Sequence, residues 1–479
     1  MTPSVSLNVL FVVAEMAPLA KVGGVGDVGG ALPRALRKLG VDVRVVLPYY
    51  AAIRRQELPA TRIAGLPDGA ALWETHAADV PVYLIEHERW FDREQVYGYD
   101  DDSARFLAFC DGALAAAGPL GWRPDVIHLH DWHAGFAAAR LAATAEHPWS
   151  HAARVCTIHN LGYPGVFGRA FAKQHGLPIE APSGLAPDLP YSALAQGIIH
   201  SRLVTTVSPT YAREVLTPQY GGALVPLLRR LGDRLAGILN GIDCDEFDPA
   251  TDPHLPATFD ADRLDRRSAN KRALQEHVSL PADGGVPVVG MVTRLFEQKG
   301  SDLAAEAVEQ LLKKSAFQLV VLGTGDPKYE QQLADLAARH PRQVAVRLAF
   351  DVAFGQLIYG GSDCFLMPSR YEPCGLGQMI AMRYGAVPIV RRTGGLADSV
   401  QQYDGPRAAG TGFLFDQAAA GAVAGALEAA LTAYRDKDAW RALQRRAMAQ
   451  DFSWHRAARQ YTDLYQRAIS LAADAGAHR

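Results

Sequence analysis

Several charged residues stand where short apolar runs end. The stretch KVGGVGDVGG at 21–30 follows one such run and opens an amphipathic segment carrying Leu32, Leu36 and Leu39. Glycines allow close backbone approach to an anion, and a helix start supplies unpaired N–H groups and partial positive charge. Lys21 at the head of this stretch favours a phosphate over a plain glycine-rich turn, with Gly23, Gly24 and Asp27 beside it. Neither GxGxxG nor GxxxxGK[ST] is matched. Further along, TRLFEQKG at 293–300 puts Arg294 as a planar fork and Lys299 as a point charge at another run's end, a pair suited to a diphosphate. The alternative is a solvated basic loop. PSRYEPCGLGQ at 368–378 supplies a carboxylate, Glu372, able to stabilise a cationic sugar centre. The N–H groups from Cys374 through Gly375 and Leu376 to Gly377 could meet an anion. RRTGG at 391–395 adds charge and permissive backbone.

The string HLHDWH at 128–133 places three histidines within six positions, a spacing that could ligate a metal. The better reading ends a strand near His130 and delivers Asp131, whose carboxylate can accept hydrogen bonds from sugar hydroxyls. His133 reads as structural. His159 and Asn160 end the run 155–158 in the same way. Asp100, Asp101 and Asp102 could suggest a hard-cation site, but no second acidic cluster completes one, so a surface loop and no required metal are expected.

These residues need strands to carry them. Apolar runs at 7–14, 43–47, 80–85, 126–129, 155–158, 203–207 and 235–239 alternate with helical stretches, and a second series follows at 286–292, 319–322, 344–348, 364–367 and 387–390. Such alternation predicts parallel βαβ units in two α/β domains, as does a length of 479 residues. The expected domains are 1–252 joined by a C-terminal helix from 454, and 253–453, with the hinge near Asp252 to Pro256. Ligands in such folds bind at the carboxyl ends of the strands, so an active site between the domains is expected.

Apolar residues at 49% and charged residues at 21% indicate a globular chain. A net charge of −3 argues against nucleic acid as a partner. The five cysteines form no CxxC pair, which fits a cytoplasmic protein without a disulfide scaffold. The first apolar run is short, lacks a basic leader and reads as a strand rather than a signal peptide. No run approaches a membrane span.

Taken in order, KVGG at 21–24, HDWHA at 130–134, IHN at 158–160, VSP at 207–209, LNGID at 239–243, Arg294 with QKG at 298–300, PSRYEPCGL at 368–376 and RRTGGLAD at 391–398 resemble the bacterial glycogen synthase and plant starch synthase family, from Val9 to about Tyr465. The resemblance implies an α/β GT-B-type fold of two Rossmann-like domains, with a C-terminal helix crossing back to the first. It implies glucosyl transfer from ADP-glucose to the non-reducing end of an α-1,4-glucan, with retention and without cofactor or metal. It places Lys21, Gly23 and Gly24 on the donor diphosphate from the first domain and Arg294 and Lys299 from the second. Asp131, His159, Asn240, Glu372, Cys374 and Gly375 would surround the glucose, Phe350 would stack on adenine, and Tyr97 and Tyr99 fall in the acceptor-side motif. Three positions depart from the family pattern: Val25 for leucine, Asp102 for asparagine and Gly377 for threonine.

Breaking a glucose–phosphate bond calls for cations at the phosphate and electron-rich groups around the ring. Front-face attack by the acceptor hydroxyl is favoured, with a covalent glycosyl-Glu372 intermediate as the alternative. The rivals are a UDP-glucose or different-acceptor transferase, a nicotinamide oxidoreductase, disfavoured by the missing GxGxxG, and a non-catalytic nucleotide-sugar or glucan binder. Oligomeric state is left open.

Overall fold

The computed structural model describes residues 7–477. Two compact units emerge. One holds the chain to Gly241 and again from Trp454, and the other runs Ile242–Ser453.

The first unit is built on a nine-stranded sheet of β1 (Asn8–Val12), β2 (Asp42–Pro48), β3 (Thr61–Gly65), β4 (Ala71–Ala77), β5 (Val80–Glu86), β6 (Val126–His130), β7 (Ala153–Ile158), β8 (Leu203–Thr206) and β9 (Leu235–Gly237). Their order is β3-β4-β5-β2-β1-β6-β7-β8-β9. Pairing is parallel except across the β3–β4 and β4–β5 edge. β1 is apolar from Val9 to Val12 because both its faces are covered. Its neighbours are β2 on one side and β6 on the other, so strand order reverses there and opens a crevice at their carboxyl ends. The helix Trp454–Ala477 completes this unit: Tyr461 and Tyr465 are buried, and the Tyr465 hydroxyl lies 2.8 Å from His128 Nδ1.

The second unit has six parallel strands, β10 (Val288–Val292), β11 (Gln318–Leu322), β12 (Val344–Arg347), β13 (Cys364–Met367), β14 (Val387–Arg391) and β15 (Phe413–Phe415), in the order β12-β11-β10-β13-β14-β15. The helix Ser301–Leu312 buries Leu303, Ala304, Val308 and Leu311 on this sheet, an amphipathic stripe at helical spacing. Here the reversal falls between β10 and β13.

The expected hinge near Asp252 lies inside the second unit. The Tyr384 hydroxyl donates to buried Asp252 at 2.6 Å, Arg383 Nε donates to the Phe247 carbonyl at 2.7 Å, and Leu255 packs where a Cβ on Gly360 would sit. These contacts tie the chain after Gly241 to the second sheet. β3, β4 and β15 were not expected from sequence: β3 is an exposed edge strand without an apolar face, and β15 spans three residues. No helix among the described residues is long and apolar enough to cross a membrane.

Candidate active site

In the second unit the loops after β10 and β13 are strapped together. Arg370 N donates to the Gln298 carbonyl at 2.7 Å, and Gln298 Nε2 donates to the Tyr371 carbonyl at 3.2 Å. The Arg370 guanidinium grips both oxygens of Asp302 at 2.8 and 2.7 Å and also reaches the Glu297 carbonyl. Gly300 turns the chain with φ of +67°, and any Cβ there would collide with the Pro368 carbonyl. The strap sets Lys299 Nζ 2.5 Å from Glu372 Oε2, which also accepts from the Ser369 hydroxyl at 3.1 Å. Glu372 is 5% exposed. Lys299 is half-buried beside it, and removing one member of the pair strands the other.

Behind this pair, Gly394 and Gly395 press on the backbone of Glu372 and Cys374, where side chains at either glycine would collide. The RRTGG stretch therefore serves chiefly as backing: Arg391 donates to the Arg370 and Asp416 carbonyls, and Arg392 pairs with Asp416. The turn before the helix Gly377–Arg383 is fixed by Gln378 Nε2, which donates to the Gly375 carbonyl at 2.9 Å and to Ser399 at 3.0 Å. A Cβ on Gly377 would come within 3.2 Å of the Phe365 ring, so this position is small because its surroundings are full. Arg294 is exposed, 5.7 Å from the Phe296 ring, and has no carboxylate partner among the described residues. Phe350, after β12, is 86% exposed.

In the first unit the glycine-rich stretch, a short loop to Gly23 and then the helix Gly24–Lys38, divides by role. Gly29 and Gly30 lie against the Glu15 and Ala17 carbonyls, and Gly26 against Lys21, whereas a Cβ on Gly23 or Gly24 would meet nothing within 4 Å. The last two are not required by the fold. The loop is gripped by Glu15, a buried residue to which the sequence reading gave no role. Its carboxylate accepts from the backbone N–H groups of Val22 and Gly23. An acid directly after the buried run 9–14 was the available signal. Lys21 Nζ is 2.6 Å from Asp27, whose carboxyl is pushed up by burial although Lys21 draws it down.

Asp131 follows β6 with φ of +55°, a left-handed conformation that aspartate tolerates better than most side chains. Its carboxylate accepts from His159 N at 2.7 Å and, at 3.5 Å, from Asn160 N, binding the ends of β6 and β7 together. Burial lifts its pKa to about 7 against these lowering contacts. The Asn160 side-chain oxygen is used locally, accepting from Gly162 N at 2.9 Å. Asn240 is buried with its Oδ1 unpartnered among the described residues.

His133 is enclosed by Tyr97, stacked at 5.0 Å, with Phe106 and Trp132. Tyr99 lies beneath the Arg93 and Arg105 guanidinium groups. Two of the three aspartates at 100–102 are committed to these arginines: Asp101 grips Arg93 at 2.7 Å, and Asp102 pairs with buried Arg105 while accepting from Gly98 N. Among the described residues no group of three or more His, Cys, Asp or Glu is placed to hold a metal ion.

Two Rossmann-like units, with charged residues gathered where strand order reverses in each, define a glycosyltransferase of the GT-B class. Residues 274–446 match the family described as glycosyl transferases group 1, and residues 8–230 match the starch synthase catalytic domain. The glycogen synthase of Syntrophotalea carbinolica is 44% identical, over 97% of this chain and 99% of its own. That of Anaeromyxobacter dehalogenans strain 2CP-C is 45% identical, over 96% and 99%. The catalytic domain of starch synthase IV from Arabidopsis thaliana, solved bound to ADP and acarbose, superposes with a TM-score of 0.88 at 37% identity, covering 97% of this chain and all of that one. The chain belongs to the glycogen and starch synthase family of glycosyltransferases.

Proposed function

We propose that this enzyme transfers glucose from ADP-glucose to the 4-hydroxyl at the non-reducing end of an α-1,4-glucan, retaining the anomeric configuration, in the cytoplasm. The observation that carries this reading is the Lys299–Glu372 pair. As the glucose–phosphate bond breaks, negative charge grows on the diphosphate and positive charge on the sugar. Lys299 then turns from Glu372 toward the phosphate, joined by Arg294, and the released carboxylate faces the cationic ring. The leaving phosphate oxygen takes the acceptor's proton on the face that the acceptor enters.

In this assignment Lys21, Gly23, Gly24 and Asp27 serve the diphosphate, and the turn from Cys374 to Gly377 serves the donor. Asp131, His159, Asn160 and Asn240 line the glucose, and Tyr97 and Tyr99 serve the acceptor side. Two observations support it: the absence of any steric demand for glycine at 23 and 24, and the ADP in the Arabidopsis relative. With two cations at the leaving group, the mechanism requires no metal.

Incubation with ADP-glucose or UDP-glucose and short maltooligosaccharides, following nucleotide release and chain lengthening together, tests it. ADP-glucose is expected to give a kcat/KM at least about tenfold higher, a difference of ~1.4 kcal/mol. Equal or better use of UDP-glucose overturns the donor assignment, and nucleotide release without chain lengthening overturns the acceptor. Exposed Phe350 provides a separate check. Phe350→Ala is expected to raise the KM for donor about three- to tenfold, in line with the ~0.5–1.5 kcal/mol of an aromatic stack, and to leave kcat nearly unchanged. An unaltered KM removes Phe350 from the nucleobase site.

A further inference from the structure

One imidazole near the site has no part in the reaction as drawn above. His130, the last residue of β6, is 1% exposed; its Nδ1 lies 2.9 Å from Nε2 of His159, and its Nε2 has no partner among the described residues. His128, whose ring is 4.1 Å from that of His130, cannot help, because its two nitrogens are engaged by the Tyr465 hydroxyl at 2.8 Å and the Thr157 hydroxyl at 2.6 Å. On the other side of His130 is the Phe11 ring at 4.4 Å. Burial pushes both His130 and His159 down, His159 to about 3, so each ring is neutral and carries a single proton.

Two neutral imidazoles joined nitrogen to nitrogen share one proton, which leaves two arrangements. If His159 Nε2–H donates, His130 must carry its own proton on Nε2, and a buried N–H is left without an acceptor. If His130 Nδ1–H donates, the unpartnered atom is a lone pair. Orphaned buried N–H groups are the rarer and costlier of the two. We infer that His130 is a positioning residue that holds His159 as its Nδ1–H tautomer, so that His159 offers a neutral N–H donor to a hydroxyl oxygen of the bound sugar. Nδ1 is the His159 nitrogen that the contact with His130 leaves over. A neutral donor orients the sugar without placing a cation beside the carbon where positive charge develops. The inference rests on the placement of His159 at the glucose proposed above.

Long-range proton–nitrogen NMR on the full chain labelled with [15N]histidine reads the tautomer directly, with the His159 signals assigned by their loss in His159→Ala. A protonated Nδ1 and a bare Nε2 are expected at His159, and the reverse pattern overturns the inference. His130→Leu removes the donor and is expected to mix the His159 tautomers and lower kcat about tenfold or more, with ADP affinity within about twofold. His130→Asn places an amide N–H near the former Nδ1 and is expected to recover most of that kcat. Should His130→Leu fail to fold, the wild-type spectrum and His130→Asn decide alone. Wild-type kcat in a folded His130→Leu protein overturns the positioning role. Wild-type kcat in His159→Ala sinks instead the placement of His159 at the sugar, while the tautomer measurement stands.

Discussion

Lys299→Ala is expected to lower kcat on the order of 10²–10³-fold, the scale found for losing one preorganised donor to developing charge, with a smaller change in donor affinity. The reason is timing: leaving-group charge grows only as the bond breaks, so the cation is worth more in the transition state than in the ground state. Glu372→Gln keeps the shape, removes the charge and is expected to lower kcat comparably. Because Glu372, which is buried, and Lys299, which is half-buried, pair at 2.5 Å, each single variant is also expected to lose stability, and the double variant less than the sum of the two. Steady-state kinetics and thermal unfolding of all three proteins measure both effects. His133→Ala is the control, expected to cost about 1–3 kcal/mol of stability through its ring contacts while the folded fraction still turns over. A folded His133→Ala protein without activity, beside active Lys299→Ala and Glu372→Gln, would place the chemistry elsewhere.

The second large effect is acid sensitivity of the first unit. His128, His130, His133 and His159 are all buried and all pushed below the ordinary histidine range, His133 and His159 to about 3. In the unfolded chain each titrates near 6.5. Protons therefore bind the unfolded state first, and stability present above about pH 6.5 drains away as pH falls toward the folded values. Asp131 works in the opposite sense: with its folded pKa raised to about 7, it takes up a proton in the folded state first and gains stability as pH falls from 7 to 4. Four imidazoles outnumber one carboxyl, so the net change below about pH 6.5 is a loss. A domain holds only about 5–15 kcal/mol in all, so the melting temperature is expected to fall steadily from pH 7 to 5. Tryptophan fluorescence, with Trp132 packed on His133, follows it. A melting temperature that is flat from pH 7 to 5 would refute the account.

The parallel strands were legible because βαβ sheets bury both faces and leave near-continuous apolar runs such as 9–12 and 319–322. Edge strand β3 and three-residue β15 lacked that signal. Charged residues at strand ends could be listed from sequence, but their pairing could not. Arg370 stood inside the PSRYEPCGLGQ string without an assigned role, and only the structure shows it joining Asp302 and the Gln298 backbone so that Lys299 meets Glu372. Glu15, the most buried acid of its loop, was passed over because its partners are backbone N–H groups, which no motif records. The unit boundary was misplaced for a similar reason, since the Asp252–Tyr384 contact joins residues 132 positions apart.

The hydrogen bond between His128 and Tyr465 spans 337 positions, and this bears on how the molecule is made. During synthesis the second unit, continuous in sequence, emerges whole and can fold while the first still lacks its closing helix. The first unit's sheet must wait through more than two hundred intervening residues for Tyr461 and Tyr465 to cover it. Until then the apolar face around His128 is open to water, and a chain ending at Ser453 has the whole second unit and an unfinished first.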